Sequence, residues 1–168
     1  MTHITIRCAK PEDEDAVLQL WQEMMDYHAR LDSRFQPAPD GKEHFQAALR
    51  EWMADETRRV LVAVSNGEVV GYIIGRLAEN PPVFAMRYFG YITDICVAPQ
   101  WRHKGVGRKL FAALQGWFRQ QGLNVVQLNV AALNPTSQAF WRAMGFQDFL
   151  HQLWLDMTPK TENVKSKT

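Results

Sequence analysis

The apolar positions of this 168-residue chain follow two repeats in turn. Ile4 to Ala9 alternates apolar and polar side chains, which reads as a strand. From Pro11 the repeat becomes helical: Val17, Leu20, Trp21, Met24 and then Tyr27 or His28 recur every three or four positions. Pro11 suits a first helical turn, and the acids from Glu12 to Asp15 complement its dipole. A breaker-rich loop, "SRFQPAPDGK", leads to a second helix over Glu43–Asp55, with Phe45, Leu49, Trp52 and Met53 inward.

Two β-rich runs flank Asn66-Gly67, the strongest short hairpin signal. "NPPVF" interrupts the chain, and "RYFGYITDICV" reads as a longer strand ending at Val97. Gly105 to Gln121 predicts an amphipathic helix with Val106, Leu110, Phe111, Leu114, Trp117 and Phe118 on one face, stopped by Gly122. "NVVQLNV" predicts a buried strand. Asn134 caps a short helix with Pro135 in its first turn and Gly145 past its end. "FQDFLHQLWLDM" predicts one or two last strands. Residues 1–158 then form a single domain, and residues 159–168 a flexible tail. The order is that of an α/β fold with a mixed sheet, mostly antiparallel, containing one right-handed parallel β-α-β crossover.

Composition adds limits. Hydrophobic residues make up 46% and charged residues 22%, with a net charge of +1, which gives no reason to expect nucleic acid or a membrane surface. No apolar run is long enough to span a bilayer, and "MTHITIRCAKPEDED" lacks a signal-peptide core. Two cysteines, Cys8 and Cys96, make no disulfide framework, so a reducing cytoplasm is expected. The five histidines are scattered without metal-ligand spacing, and no metal is expected.

One short stretch changes the picture. In "CVAPQWRHKGVGRKLF" a strand feeds a helix, and Arg102, His103, Lys104, Arg108 and Lys109 crowd around Gly105 and Gly107. Cations at a helix N-terminus oppose its macrodipole. That cost is offset where an anion binds the free N–H groups there, and glycines let a ligand approach the backbone. The stretch therefore predicts a phosphate site. It fits neither a Walker loop nor a dinucleotide fingerprint, because Lys-Ser/Thr is missing and Leu110 stands where a third glycine belongs.

Arg102-x-x-Gly105-x-Gly107 resembles the Gln/Arg-x-x-Gly-x-Gly/Ala signature of the GNAT superfamily of N-acetyltransferases. "NPTSQAFWRAMGF" resembles its second signature, and the element order matches from about Ile4 to Asp156. The layout is also somewhat similar to diamine acetyltransferases.

The resemblance implies acetyl-CoA as co-substrate. The N–H groups from Arg102 through Val106 to Gly107 would cradle its pyrophosphate, with charge from Arg102, His103, Lys104 and Arg108. Ile95, Cys96 and Val97, at the end of a bulged strand splayed from its parallel neighbour, would meet the pantetheine amides. A backbone N–H there would polarise the acetyl carbonyl. Asn134 would touch the pantetheine arm, or is simply a helix cap. Cys96 is a packing residue or an acyl-accepting thiol.

Asp94 is the candidate base, acting through water. It could equally anchor a cationic amine or accept structural hydrogen bonds. The family's general-acid tyrosine is replaced by Trp141, whose indole is no proton donor at neutral pH. Ser137 and Tyr91 are weak substitutes, and Trp141 packs either on the pantetheine arm or in the core. The resemblance puts the acceptor beside Tyr27, His28 and Tyr88, with a small primary amine as acceptor. A non-catalytic acyl-CoA-binding module and a peptide or protein N-acetyltransferase are the competing readings. Relatives that dimerise, often through the last strands, make a homodimer a further expectation.

Overall fold

The structure, a computed structural model, describes residues 3–158. The alternating run near the N-terminus becomes β1 (Thr5–Cys8). A 3-10 turn at Pro11–Asp13 leads into α1 (Glu14–Leu31), and α2 (Gly41–Ala54) follows the proline-rich loop. The hairpin is β2 (Arg58–Ser65) and β3 (Glu68–Glu79), joined through Asn66 and Gly67, both at positive φ as its turn requires. β4 (Tyr88–Val97), α3 (Val106–Gln120), β5 (Val126–Leu128) and α4 (Pro135–Ala143) complete the order.

The five strands lie in chain order. β1 to β4 pair antiparallel, and α3 is the crossover that makes β5 parallel to β4. The expected mixed sheet with one crossover is thus present.

The period of two along the strands sends successive side chains to two cores. Val60, Val62, Tyr72, Ile74 and Cys96 meet Val17, Trp21 and Leu49 of α1 and α2. Leu61, Ala63, Ile73 and Ile92 meet Val106, Leu110, Leu114 and Phe118 of α3. Covering both faces explains why β2 and β3 read as nearly continuous apolar runs.

α1 is tied to the sheet by a buried charge. Asp13 is 5% exposed and takes both Arg7 guanidinium nitrogens at 2.6 and 2.8 Å, plus the Lys10 N–H at 2.8 Å. The Arg7 hydrogen bonds hold its carboxyl below the usual aspartate range, so its contribution is present above pH ~4 and is lost as pH falls. Asp13→Asn is expected to cost about 1–3 kcal/mol at pH 7, with the difference from the parent shrinking toward pH 3 in denaturant titrations. A constant difference across that range would refute the linkage.

The last strands expected over Phe146–Met157 do not form: no strand follows β5 among the described residues. Their apolar positions, 146, 149, 150, 153, 154, 155 and 157, lack the period of two that a half-buried strand needs, and β5 itself ends at Leu128, short of the expected run. The segment instead leaves α4 through an Arg142–Asp148 ion pair at 3.0 Å and brings Trp154 to 5.7 Å from the Arg34 guanidinium. Phe149, Leu150, Leu153, Trp154, Leu155 and Met157 are all exposed. The expected flexible tail, residues 159–168, lies outside the described residues.

Candidate active site

The basic turn folds as a backbone concavity. After a 3-10 turn at Pro99–Trp101, His103 (φ 60°) and Gly105 (φ 80°) both take left-handed conformations. The N–H groups from His103 to Arg108 then find no acceptor among the described residues. Successive free N–H groups of this kind form an anion-binding nest at a helix start.

The two glycines serve different ends. Gly105 meets the nest's need for positive φ, and a Cβ there would face open space. A Cβ on Gly107 would stand 3.2 Å from the Phe140 ring, so this glycine lets α3 approach α4. The expectation that both clear space for a ligand is corrected for Gly107.

Arg102, His103, Lys104 and Arg108 are exposed, while the Val106 side chain is in the core, leaving its backbone to the nest. Arg102 Nε donates to the Val97 carbonyl at 3.0 Å, and the Lys104 ammonium sits 5.3 Å from the Trp101 ring centre.

Below the nest the sheet opens. β4 and β5 pair from Gly90↔Val126 to Ile92↔Leu128 and no further, although β4 continues to Val97. At the same level the β3–β4 register shifts, with Ile74 opposite Asp94 and Gly75 opposite Ile92, so Thr93 is the extra residue of a bulge. The bulge and the splay coincide.

Backbone direction above the bulge follows by alternation. Ala98 donates to Val70 on β3, so Cys96 also faces β3, and Ile95 and Val97 present their polar groups to the opening. Arg102 occupies the Val97 carbonyl. The Ile95 N–H and C=O and the Val97 N–H remain for an added extended ligand.

Asp94 stands at this opening on the face toward α1. No hydrogen bond or ion pair reaches its carboxyl among the described residues, and burial pushes it up to about 6. That value suits a group that must accept a proton near neutral pH. Cys96 is pushed up to about 11 by burial, so its thiol stays protonated, which disfavours a nucleophilic role. Tyr91 packs under the Arg76 guanidinium at 4.8 Å.

Asn134 does what its position after a loop suggests. Its Oδ1 accepts the Ser137 N–H at 3.0 Å and caps α4. That bond fixes the amide's orientation, and its Nδ2 donates to His28 Nε2 at 3.2 Å. This contact across 106 positions ties α4 to the end of α1. His28 groups with Tyr27 and Phe35, at ring separations of 5.9 and 5.5 Å. Tyr88 is not brought to them: it opens β4, about 20 Å of strand from Asp94.

Trp141 is 5% exposed and packs against Phe111, Phe140 and Phe146. Of the two packing alternatives, the core is the observed one. Trp141→Tyr is therefore expected to lower thermal stability by about 1–3 kcal/mol without raising turnover, because the phenol enters an aromatic cluster. A rise in kcat of tenfold or more would show instead that a missing acid had been restored.

Sequence reasoning overlooked Tyr72. Its hydroxyl is fully buried on β3 and has no partner among the described residues. The only signal was a tyrosine inside the apolar run "VVGYIIG".

A nest at a helix start, an opening between parallel strands and a carboxylate without a protein partner among the described residues thus lie along one strand-to-helix connection. Residues 19–146 match the model of the GNAT acetyltransferase family. The chain belongs to that family and is an N-acetyltransferase.

Among relatives, an aminoglycoside N(6')-acetyltransferase type 1 from Stenotrophomonas maltophilia is 31% identical over 152 residues, covering 86% of each chain. A mutant of the BH1408 protein from Bacillus halodurans shares the fold with a TM-score of 0.80 at 24% identity, over 91% of this chain and 99% of its own. A predicted acetyltransferase from Clostridium acetobutylicum, solved with acetyl-CoA, has a TM-score of 0.74 at 17% identity, over 92% and 96%.

Proposed function

We propose that this protein transfers acetyl from acetyl-CoA to the primary amine of a small polar molecule, directly within a ternary complex. The observation that carries this reading is the unpaired Asp94 carboxyl at the β4–β5 opening, in line with the nest. Acetyl-CoA supplies an activated acyl thioester and an anionic handle. The N–H groups of His103 to Arg108 fit its pyrophosphate, and the free backbone groups of Ile95 and Val97 fit its amides.

The Ile95 N–H polarises the acyl carbonyl, and Asp94 takes the amine proton through water. Departure of a thiolate needs no acid at this site, since a free thiol has a pKa of about 8.5. Tyr27, His28 and Phe35 form the acceptor wall, and Tyr91 contributes through its contact with Arg76.

The aminoglycoside-modifying relative supports an amino sugar as the first acceptor to test. A panel of amino sugars, diamines and amino acids is to be assayed by thiol release from acetyl-CoA. Turnover of amino sugars at least tenfold above the rest is expected. CoA binding without release from any amine would count against the reading.

Two further parts of the proposal concern the setting. Cys8 and Cys96 are both free, as suits a reducing cytoplasm. A second copy of the chain covers the arm after α4, where six large apolar side chains lie exposed. Light scattering is expected to give twice the 19.4 kDa chain mass, and a monomer for Leu153→Glu with Leu155→Glu. A monomeric parent protein would exclude this.

A further inference from the structure

Tyr72 and Asp94 are diagonal neighbours on one face of the β3–β4 pair. Tyr72 stands opposite Cys96, and Ile74 opposite Asp94, so Tyr72 reaches along the same row toward the carboxylate. Diagonal partners lie about 7–8 Å apart at the backbone, within reach of a long aromatic side chain. Among the described residues neither group has a protein partner: the Tyr72 hydroxyl is fully buried with no acceptor or donor, and no hydrogen bond reaches Asp94.

Such an orphaned hydroxyl is destabilising, and phenylalanine would fill the same space without that cost. A tyrosine here is explained only by what its hydroxyl does. Beyond burial, Asp94 is the charged group that acts most on it. The other charges near this row lie beside Cys96: Glu23 from α1 and Arg102 from the turn after β4. No cation is among the causes that act on Asp94 itself.

We propose that Tyr72 is a positioning residue for Asp94: its hydroxyl, acting through one bridging water, holds the carboxylate in its ionised form and in the orientation that receives the amine proton. The proposal rests on Asp94 being the base. The hydroxyl donates to the water, and the water donates to the carboxylate. One carboxylate oxygen is thereby held from within the sheet, and the other is left toward the opening. Tyr72 itself never meets substrate, since it is fully buried.

The test is Tyr72→Phe, read by the titration of the Asp94 carboxyl carbon in protein labelled at aspartate. The resonance is assigned by its loss in Asp94→Asn, and the readout needs no acceptor. The midpoint is expected to rise by about one pH unit in Tyr72→Phe, toward the value of about 6 that burial alone gives. Thermal stability is expected to stay equal or increase. With an active acceptor, the acidic limb of kcat should move by the same amount, while KM for acetyl-CoA stays unchanged.

A midpoint that coincides with the parent overturns the proposal, as does a loss of turnover with an unmoved acidic limb. Full turnover by Asp94→Asn would instead overturn the reading of Asp94 as base. The two failures are therefore distinct.

Discussion

Asp94→Asn is expected to stabilise the protein while removing most of its activity. The parent carboxyl is raised to about 6 by burial alone, well above its unfolded value near 3.9. Between those values the folded state binds more protons than the unfolded state, so stability falls as pH rises through that window. Above pH ~7 the full cost of a half-buried carboxylate without a protein partner among the described residues is present. A shift of about two units corresponds to on the order of 2–3 kcal/mol, and the neutral amide removes it. Denaturant titrations at pH 8 should show the variant ahead, and the difference should vanish near pH 4.

Turnover should fall by roughly 10²–10⁴-fold, the usual loss with a general base. A variant that is less stable at pH 8 would mean that Asp94 has a structural partner after all. A variant that is stabilised but fully active would leave the carboxylate without a chemical role.

The second large effect concerns the nest. Gly105→Asp is expected to weaken CoA binding more than 100-fold by calorimetry, with only a small loss of stability. Its Cβ would enter open space, and the left-handed conformation at φ 80° costs a non-glycine residue about 1–2 kcal/mol, with aspartate among the more tolerant. The damage is electrostatic: a carboxylate stands where the free N–H groups collect an anion. Gly107→Asp is the poorer probe, because its side chain would press on Phe140 and separate α3 from α4. CoA affinity within threefold of the parent in Gly105→Asp would exclude the nest as the phosphate site.

Both effects start from residues visible in the sequence, yet neither could be sized from it. Asp94 was conspicuous as an acid in an apolar strand. That its carboxyl lacks any partner depends on the bulge at Thr93, and a bulge is a property of two strands in register. The basic turn was equally plain, but its two glycines looked alike. Only the approach of Phe140 from α4 separates them. Tyr72 goes unnoticed inside the apolar run "VVGYIIG", and its hydroxyl gains meaning only from Asp94 on the next strand.

The C-terminal arm shows the reverse case. "FQDFLHQLWLDM" is rich in apolar and aromatic residues, yet it lacks the strict alternation of β1, and it pairs with nothing among the described residues while β1 pairs with β2. Apolar content alone reports a need for burial, and a period of two is what commits a segment to a sheet face.

By itself the sequence determined most of the elements and pointed to an anionic ligand at the basic turn. Helical and strand periods, the Asn66-Gly67 turn, the Asn134 cap and the cationic glycine turn all act within a few residues, where backbone geometry and side-chain chemistry suffice. The tertiary structure decided which groups were left without partners. It opened β4 from β5 above Ile92, left Asp94 half-buried without a partner among the described residues, joined His28 to Asn134 and sealed Trp141 among aromatics. Those outcomes depend on the register and packing of distant segments, because the cost of a buried polar group is set by whatever the rest of the chain brings within a few ångströms of it.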